Sequence, residues 1–197
     1  MSDQLVKEMG TFSFMFHNRY GLEGPRRYHE LYLNDLETWL RGRGYETARE
    51  KSIMYGHRDR KGDAICSKRG LIDLYAKNMD HDVAVEFDNG KRLKFKSMEK
   101  LNNSNADILV GVVAGDADDR SVEYNNQRYG EMASNNSLVV RGIWLIVLSE
   151  GKIERLDTRR NAPCDLGHSK STIADGRIRV GTVTGRKGYQ QRAIEDY

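Results

Sequence analysis

Cysteine, proline and long apolar runs are all scarce in this chain. Its two cysteines, Cys66 and Cys164, share no short spacing, which argues against a zinc knuckle and against a disulfide-stapled scaffold. Two prolines in 197 residues, with 31% charged and 38% hydrophobic side chains, exclude a proline-rich linker and fit a folded chain better than a disordered one. The longest apolar run, Ile143 to Leu148, is too short to cross a bilayer as a helix. Residues Met1 to Glu8 lack the basic-then-apolar order of a secretory signal, so the expected compartment is the cytoplasm. The five histidines, at 17, 29, 57, 81 and 168, show no metal-ligand spacing.

The chain is long enough for one substantial core. One domain is expected over 1–197, with its core at about 25–150 and a basic extension at about 151–197. The net charge of +3 is unevenly spread: residues 1–151 hold 22 basic and 23 acidic side chains, and residues 152–197 hold 10 and 6. A local basic surplus favours a polyanionic partner, because phosphate backbones release counterions on meeting it.

Residues 1–24 show no sustained period, and Phe12, Phe14, Phe16 and Tyr20 fit either a strand alternating into the core or a cap over it. Pro25 then opens a helix in which Tyr28, Leu31, Tyr32, Leu36, Trp39 and Leu40 recur at three- and four-residue steps, and Gly42 and Gly44 end it. Tyr45 to Met54 reads as a short strand and residues 55–63 as a polar loop whose Arg58, Arg60 and Lys61 are placed to touch phosphate. Ser67 to Gly70 reads as a turn, Leu71 to Ala76 as a strand, and Lys77 to Asp80 as the hairpin turn into His81 to Asp88. Asn89-Gly90 turns the chain into a helix with its body at Ser97 to Asn102, on which Lys96 and Lys100 lie four apart. Ile108 to Val113 is continuous enough for a strand buried on both faces. Residues 116–136 read as a polar insertion with a short helix or none, Val139 to Leu148 as the most apolar strand, and Ile153 to Leu156 as an edge strand. Beyond it, Thr158 to Gly176 reads as a loop. Arg177 to Thr184 alternates as a half-exposed strand, and Arg177, Arg179, Arg186 and Lys187 are the nucleic-acid-binding candidates of the extension. Gly181 to Gly188 is only superficially similar to a phosphate-binding loop, since it lacks the glycine-lysine-serine/threonine ending.

The chemistry concentrates in two short strands. Val83-Ala84-Val85 runs into Glu86 and Asp88, two residues apart and so on one face. Asp73 interrupts a second apolar run, where an isolated charge is costly. Hard divalent ions take oxygen ligands of this kind, with waters and substrate phosphates completing the shell, and an ion so held acidifies water and neutralises charge on a phosphate. Taken singly, Asp73 reads as a strand-end partner for Arg69 or Lys94, and Asp88 as a turn residue.

This pattern resembles the core of the PD-(D/E)XK nuclease superfamily over about residues 25–115. The resemblance implies an α/β, restriction-endonuclease-like core: a central mixed sheet flanked by helices, here followed by a β-rich basic C-terminal extension. It also implies that Glu30 on the first helix, Asp73 at a strand end and Glu86 as first residue of an acid-x-lysine motif converge on Mg2+, with Mn2+ as a possible substitute, and that the substrate is DNA; two-fold symmetric DNA targets would suit a homodimer. The chain departs from the pattern at Asp88, which stands where the motif has lysine. Lys96 or Lys100 of the following helix can replace that ammonium, or Asp88 is itself a ligand or base, or the chain keeps the fold as a non-catalytic nucleic-acid-binding or assembly protein.

Overall fold

The computed structural model describes residues 2–21, 25–58, 65–115, 119–135 and 141–156. The elements run α1 (Ser2–Tyr20), α2 (Pro25–Arg41), β1 (Glu46–Arg58), β2 (Ile65–Lys77), β3 (Asp82–Asp88), α3 (Phe95–Asn103), β4 (Ile108–Val113), α4 (Asp119–Asn135), β5 (Ile143–Val147) and β6 (Lys152–Leu156). The class is α/β. Six strands form one mixed sheet in the order β1-β2-β3-β4-β5-β6, antiparallel at β1/β2, β2/β3 and β5/β6 and parallel at β3/β4 and β4/β5. No described helix is long and apolar enough to cross a membrane.

Each face of the sheet has its own core. On β3 and β4, Val83, Val85, Phe87, Ile108, Val110 and Val112 point toward α1 and α2, while Ala84, Leu109 and Val113 pack with Met98 and Leu101 of α3 and Tyr129 of α4. Both strands are buried on both sides, so their sequences read as continuous apolar runs. Helix α2 buries Tyr28, Tyr32, Leu33, Leu36 and Leu40, one stripe at helical spacing. It ends where Gly44 takes a left-handed φ of 82°, a conformation glycine adopts without steric cost.

Five elements differ from the sequence expectations. Residues Ser2–Tyr20 form a helix and not a strand: Leu5, Val6, Met9 and Phe16 are its buried side, and Ser13 bridges to α2 through a 2.8 Å contact with the Tyr32 hydroxyl. Ser67 to Gly70 is part of β2 and not a turn, and Tyr55 to Arg58 belong to β1 and not to a loop. The polar insertion carries a 17-residue helix, α4. Strand β5 takes in Ile143–Val147, so Arg141, Gly142 and Leu148 of the expected strand fall outside it, while its Val139 and Val140 lie outside the described residues. The proposed loop at 158–176, the strand at 177–184, and Arg60, Lys61, Arg177, Arg179, Arg186 and Lys187 lie outside the described residues.

Strands β1 and β2 are each 13 residues long, but only Leu74 to Lys77 of β2 pair with β3. The remainder continues past β3 as a two-stranded ribbon paired out to Arg58 and Ile65. The ribbon turns at one place. Glu50 stands across from Asp73, between the pairs Arg49↔Leu74 and Lys51↔Ile72, and its φ of 52° is the only positive value at a described non-glycine residue. Ile72 and Leu74, which a flat strand would put on one face, consequently pack in different cores.

Candidate functional site

The acid cluster forms at the fork where the ribbon leaves the sheet. The last β2/β3 pair is Leu74↔Val85, so the next residues out are Asp73 and Glu86. With the ladder ended, the Phe87 amide has no carbonyl from β2, and it donates to Asp73 Oδ2 at 2.8 Å. His29 of α2 faces the same oxygen, with Nε2 at 3.7 Å. Both contacts fall on Oδ2, which leaves Oδ1 for a further ligand. Burial by itself would raise the Asp73 carboxyl; the facing His29 imidazole, the Phe87 amide bond and the charge of Lys100 outweigh it and hold the group below the usual aspartate value. His29 is correspondingly raised, chiefly by the Asp73 carboxylate it faces.

Glu86 is 2% exposed. Lys100 reaches it from α3, with Nζ 2.5 Å from both Oε1 and Oε2, and Nζ also donates to the Leu71 carbonyl at 2.7 Å. The lysine stem passes Gly70, where a Cβ would lie 3.0 Å from Lys100 Cδ and 2.7 Å from Tyr55 Cε1. A larger residue there would close the passage. Burial first, and then the negative charge of Asp73, push the Glu86 carboxyl up to about 7, against the pull of Lys100 and the Ser97 hydroxyl. Two carboxylates facing one ammonium leave a negative surplus in a desolvated place.

The expected residues divide as follows. Asp73, Glu86 and Lys100 are brought together. Lys96 is exposed: the α3 face that it shares with Lys100 is wet in the first turn and buried one turn later. Asp88 lies on the same face of β3 as Glu86, but both its oxygens are engaged elsewhere. Oδ2 accepts the Lys94 amide at 2.8 Å, Oδ1 is 2.8 Å from Lys94 Nζ, and its carbonyl accepts from Ala114 at 3.0 Å. Asp88 thus ties the β3–α3 turn, close to its reading as a turn residue. Glu30 sits at the rim, 3.4 Å from His29 Nδ1 and 3.3 Å from the Arg49 guanidinium, and meets Asp73 only through those two residues. Arg58 ends β1.

The sequence reading missed His29, Arg49 and Ser97 as members of the site. Arg49 joins it twice, donating from Nε to the Asp73 carbonyl at 3.2 Å and from the guanidinium terminus to Glu30. The one sequence signal for His29 is its place beside Glu30. The sequence offers Lys94 only as a partner of Asp73. Its ammonium is raised by its bond to Asp88 and, more weakly, by the charges of Asp73 and Glu86.

Among the described residues no group of three or more histidine, cysteine, aspartate or glutamate side chains is placed to hold a metal ion. The pair Asp73 and Glu86 is a different case. Mg2+ is commonly held by one or two carboxylates, with water and phosphate oxygens filling the rest of its shell. Two hard oxygen donors that repel each other, one with an oxygen still open, fit such an ion. Comparison of the chain with protein-family models and with curated proteins finds no match.

Proposed function

We propose that the chain is a divalent-metal-dependent deoxyribonuclease with a restriction-endonuclease-like core, which hydrolyses phosphodiester bonds in DNA in the cytoplasm. The observation that carries this reading is the convergence of Asp73 from β2, Glu86 from β3 and Lys100 from α3 at one fork of the sheet. Those are the acid, acid and ammonium that phosphodiester hydrolysis needs, and the lysine missing at position 88 is supplied from the next helix.

Asp73 and Glu86 are the residues that would hold Mg2+ or Mn2+. When bound, such an ion neutralises charge on a phosphate and lowers the pKa of a coordinated water. The chain's own groups do the rest. His29 and the Phe87 amide keep Asp73 ionised and fix its orientation. Lys100, held by the Leu71 carbonyl, presents its charge in a water-poor place, where a preorganised cation counts for more than in solvent. Glu86 must release its proton before it can act as a ligand. Duplex targets with two-fold symmetry match a homodimer.

The test is incubation with plasmid, branched and single-stranded DNA, with and without Mg2+ or Mn2+. Cleavage that needs metal and is abolished in Asp73→Ala, Glu86→Ala and Lys100→Met is expected. Asp73→Ala and Glu86→Ala proteins that cut like the parent would overturn the reading.

A second reading, a nucleic-acid-binding or assembly protein that keeps the fold without catalysis, is favoured by one observation. Lys100 lies 2.5 Å from both oxygens of Glu86, so the glutamate is already neutralised from within. Crystals soaked in Mn2+ distinguish the two: density for an ion beside Asp73 and Glu86 supports the enzyme, and its absence the binding protein.

A further inference from the structure

The stretch from Asn89 to Met98 carries four basic side chains, Lys91, Arg92, Lys94 and Lys96, and no acid; all four are exposed. An ordinary basic loop is held only at its ends. This one is pinned along its length. Gly115, after β4, donates to the Gly90 carbonyl at 3.1 Å and approaches so closely that a Cβ there would lie 3.0 Å from the Lys91 nitrogen. Leu93, 1% exposed, is sunk into the α3-side core. The Lys94 amide is bound by Asp88 at 2.8 Å.

One of the four is also braced by an aromatic ring. The Arg92 guanidinium lies 4.3 Å from the centre of the Tyr124 ring on α4. Arg128 stands 5.6 Å from that same ring and 5.6 Å from the Phe95 ring, and its Nε donates to the Tyr124 hydroxyl at 3.1 Å. Stacked on a ring, the Arg92 guanidinium keeps N–H edges for an anion, and its planar fork loses little further freedom on binding one. Glu123 is the exposed acid nearest in sequence to this group on α4. At its other end the patch adjoins the acid pair, since Lys94 is bonded to Asp88 and within reach of the charges of Asp73 and Glu86.

We infer that the β3–α3 turn is a binding surface for the phosphate backbone of nucleic acid that leads a strand to Asp73 and Glu86. Four cations carried on a pinned backbone beside the proposed site suit a regular polyanion; they present no apolar anchor of the kind a protein partner uses. The destination of the strand rests on the nuclease reading. The binding itself does not.

The experiment is fluorescence anisotropy with a labelled DNA duplex and a labelled single strand, in EDTA so that no cleavage intervenes, over a range of salt concentrations. For the Lys91→Ala/Lys96→Ala double variant the slope of log affinity against log salt is expected to flatten by about 1.8 on duplex or about 1.4 on single strands, because each lost phosphate contact removes about 0.9 or 0.7. Both side chains are exposed, so folding is expected to survive, and circular dichroism checks it. Lys7→Ala, an exposed charge on α1 across the sheet, is expected to leave the slope unchanged. The inference is overturned if the parent does not bind DNA, if the double variant keeps the parent's slope, or if Lys7→Ala flattens it as much. Binding that depends on the patch without any metal-dependent cleavage would sustain this surface and sink the nuclease; cleavage that depends on Asp73 with patch-independent binding would do the reverse.

Discussion

Asp73 accepts the amide hydrogen of Phe87 at 2.8 Å, at the point where β2 stops pairing with β3. The carboxylate therefore serves the fold as well as the proposed chemistry, and the two roles can be separated. Asp73→Asn keeps an acceptor for the amide, whereas Asp73→Ala leaves a part-buried N–H without a partner, at a cost of about 1–3 kcal/mol. Urea denaturation is expected to find the alanine variant clearly less stable than the asparagine variant, with cleavage lost in both. Equal stability of the two would mean that the bond contributes nothing to the fork.

Glu86 gives the protein a pH dependence of definite sign. Its carboxyl is raised from 4.5 to about 7 by burial and by Asp73, so the folded state holds a proton that the unfolded state has released. The contribution is fully present below the unfolded value and is lost as pH rises through about 7. Stability is expected to decline across that window in the parent and to lose this component in Glu86→Gln. Over the same window Mn2+ affinity, followed by electron paramagnetic resonance, is expected to rise, since the metal competes with that proton. A Mn2+ affinity that does not change with pH would remove Glu86 from the ligand set.

Lys100→Met leaves Glu86 buried without its ammonium. Breaking a buried pair from one side commonly costs about 3–5 kcal/mol, and the Glu86 carboxyl is expected to move further up. The double variant Glu86→Gln/Lys100→Met removes both charges and is expected to recover a large part of that loss. A double-mutant cycle measures the coupling; additive losses would show that the 2.5 Å contact carries no net energy.

Gly111 of β4 faces Leu93, and a Cβ at that position would meet Leu93 Cδ2 at 2.5 Å and Cδ1 at 3.0 Å. Overpacking of this kind costs about 1–3 kcal/mol. Gly111→Ala is expected to lower the melting temperature and, by lifting Leu93, to loosen the turn that carries Lys94. A fully stable variant would mean that Leu93 has room to repack.

Much of the centre of this fold was legible in the sequence, and the margins were not, for identifiable reasons. Strands β3 and β4 are buried on both faces, so their composition carries the signal unaided. Helix α2 has one dry stripe, which the three- and four-residue steps report. Helix α1 misleads because Phe12, Phe14 and Phe16 alternate like a strand, although only Phe16 of these is fully buried and Phe14 is exposed. Ser67, Lys68 and Arg69 of β2 are all exposed, with no buried position among them to impose alternation, so Ser67-Lys68-Arg69-Gly70 shows the composition of a turn. In the site, Asp73 and Glu86 were legible because a carboxylate inside an apolar run needs a reason. The choice of Lys100 over Lys96 was not, because burial along α3 changes within one turn, and His29 depends on how α2 lies against the sheet.

The strands occupy the sheet in the order in which they occur in the chain. Every pairing therefore joins strands that follow one another in the chain, which keeps the loops to be closed short. Asp73, Glu86 and Lys100 belong to consecutive elements, β2, β3 and α3, of that series. The two carboxylates thus meet their ammonium across a short stretch of chain, and the cost of bringing the three together is the closure of local loops.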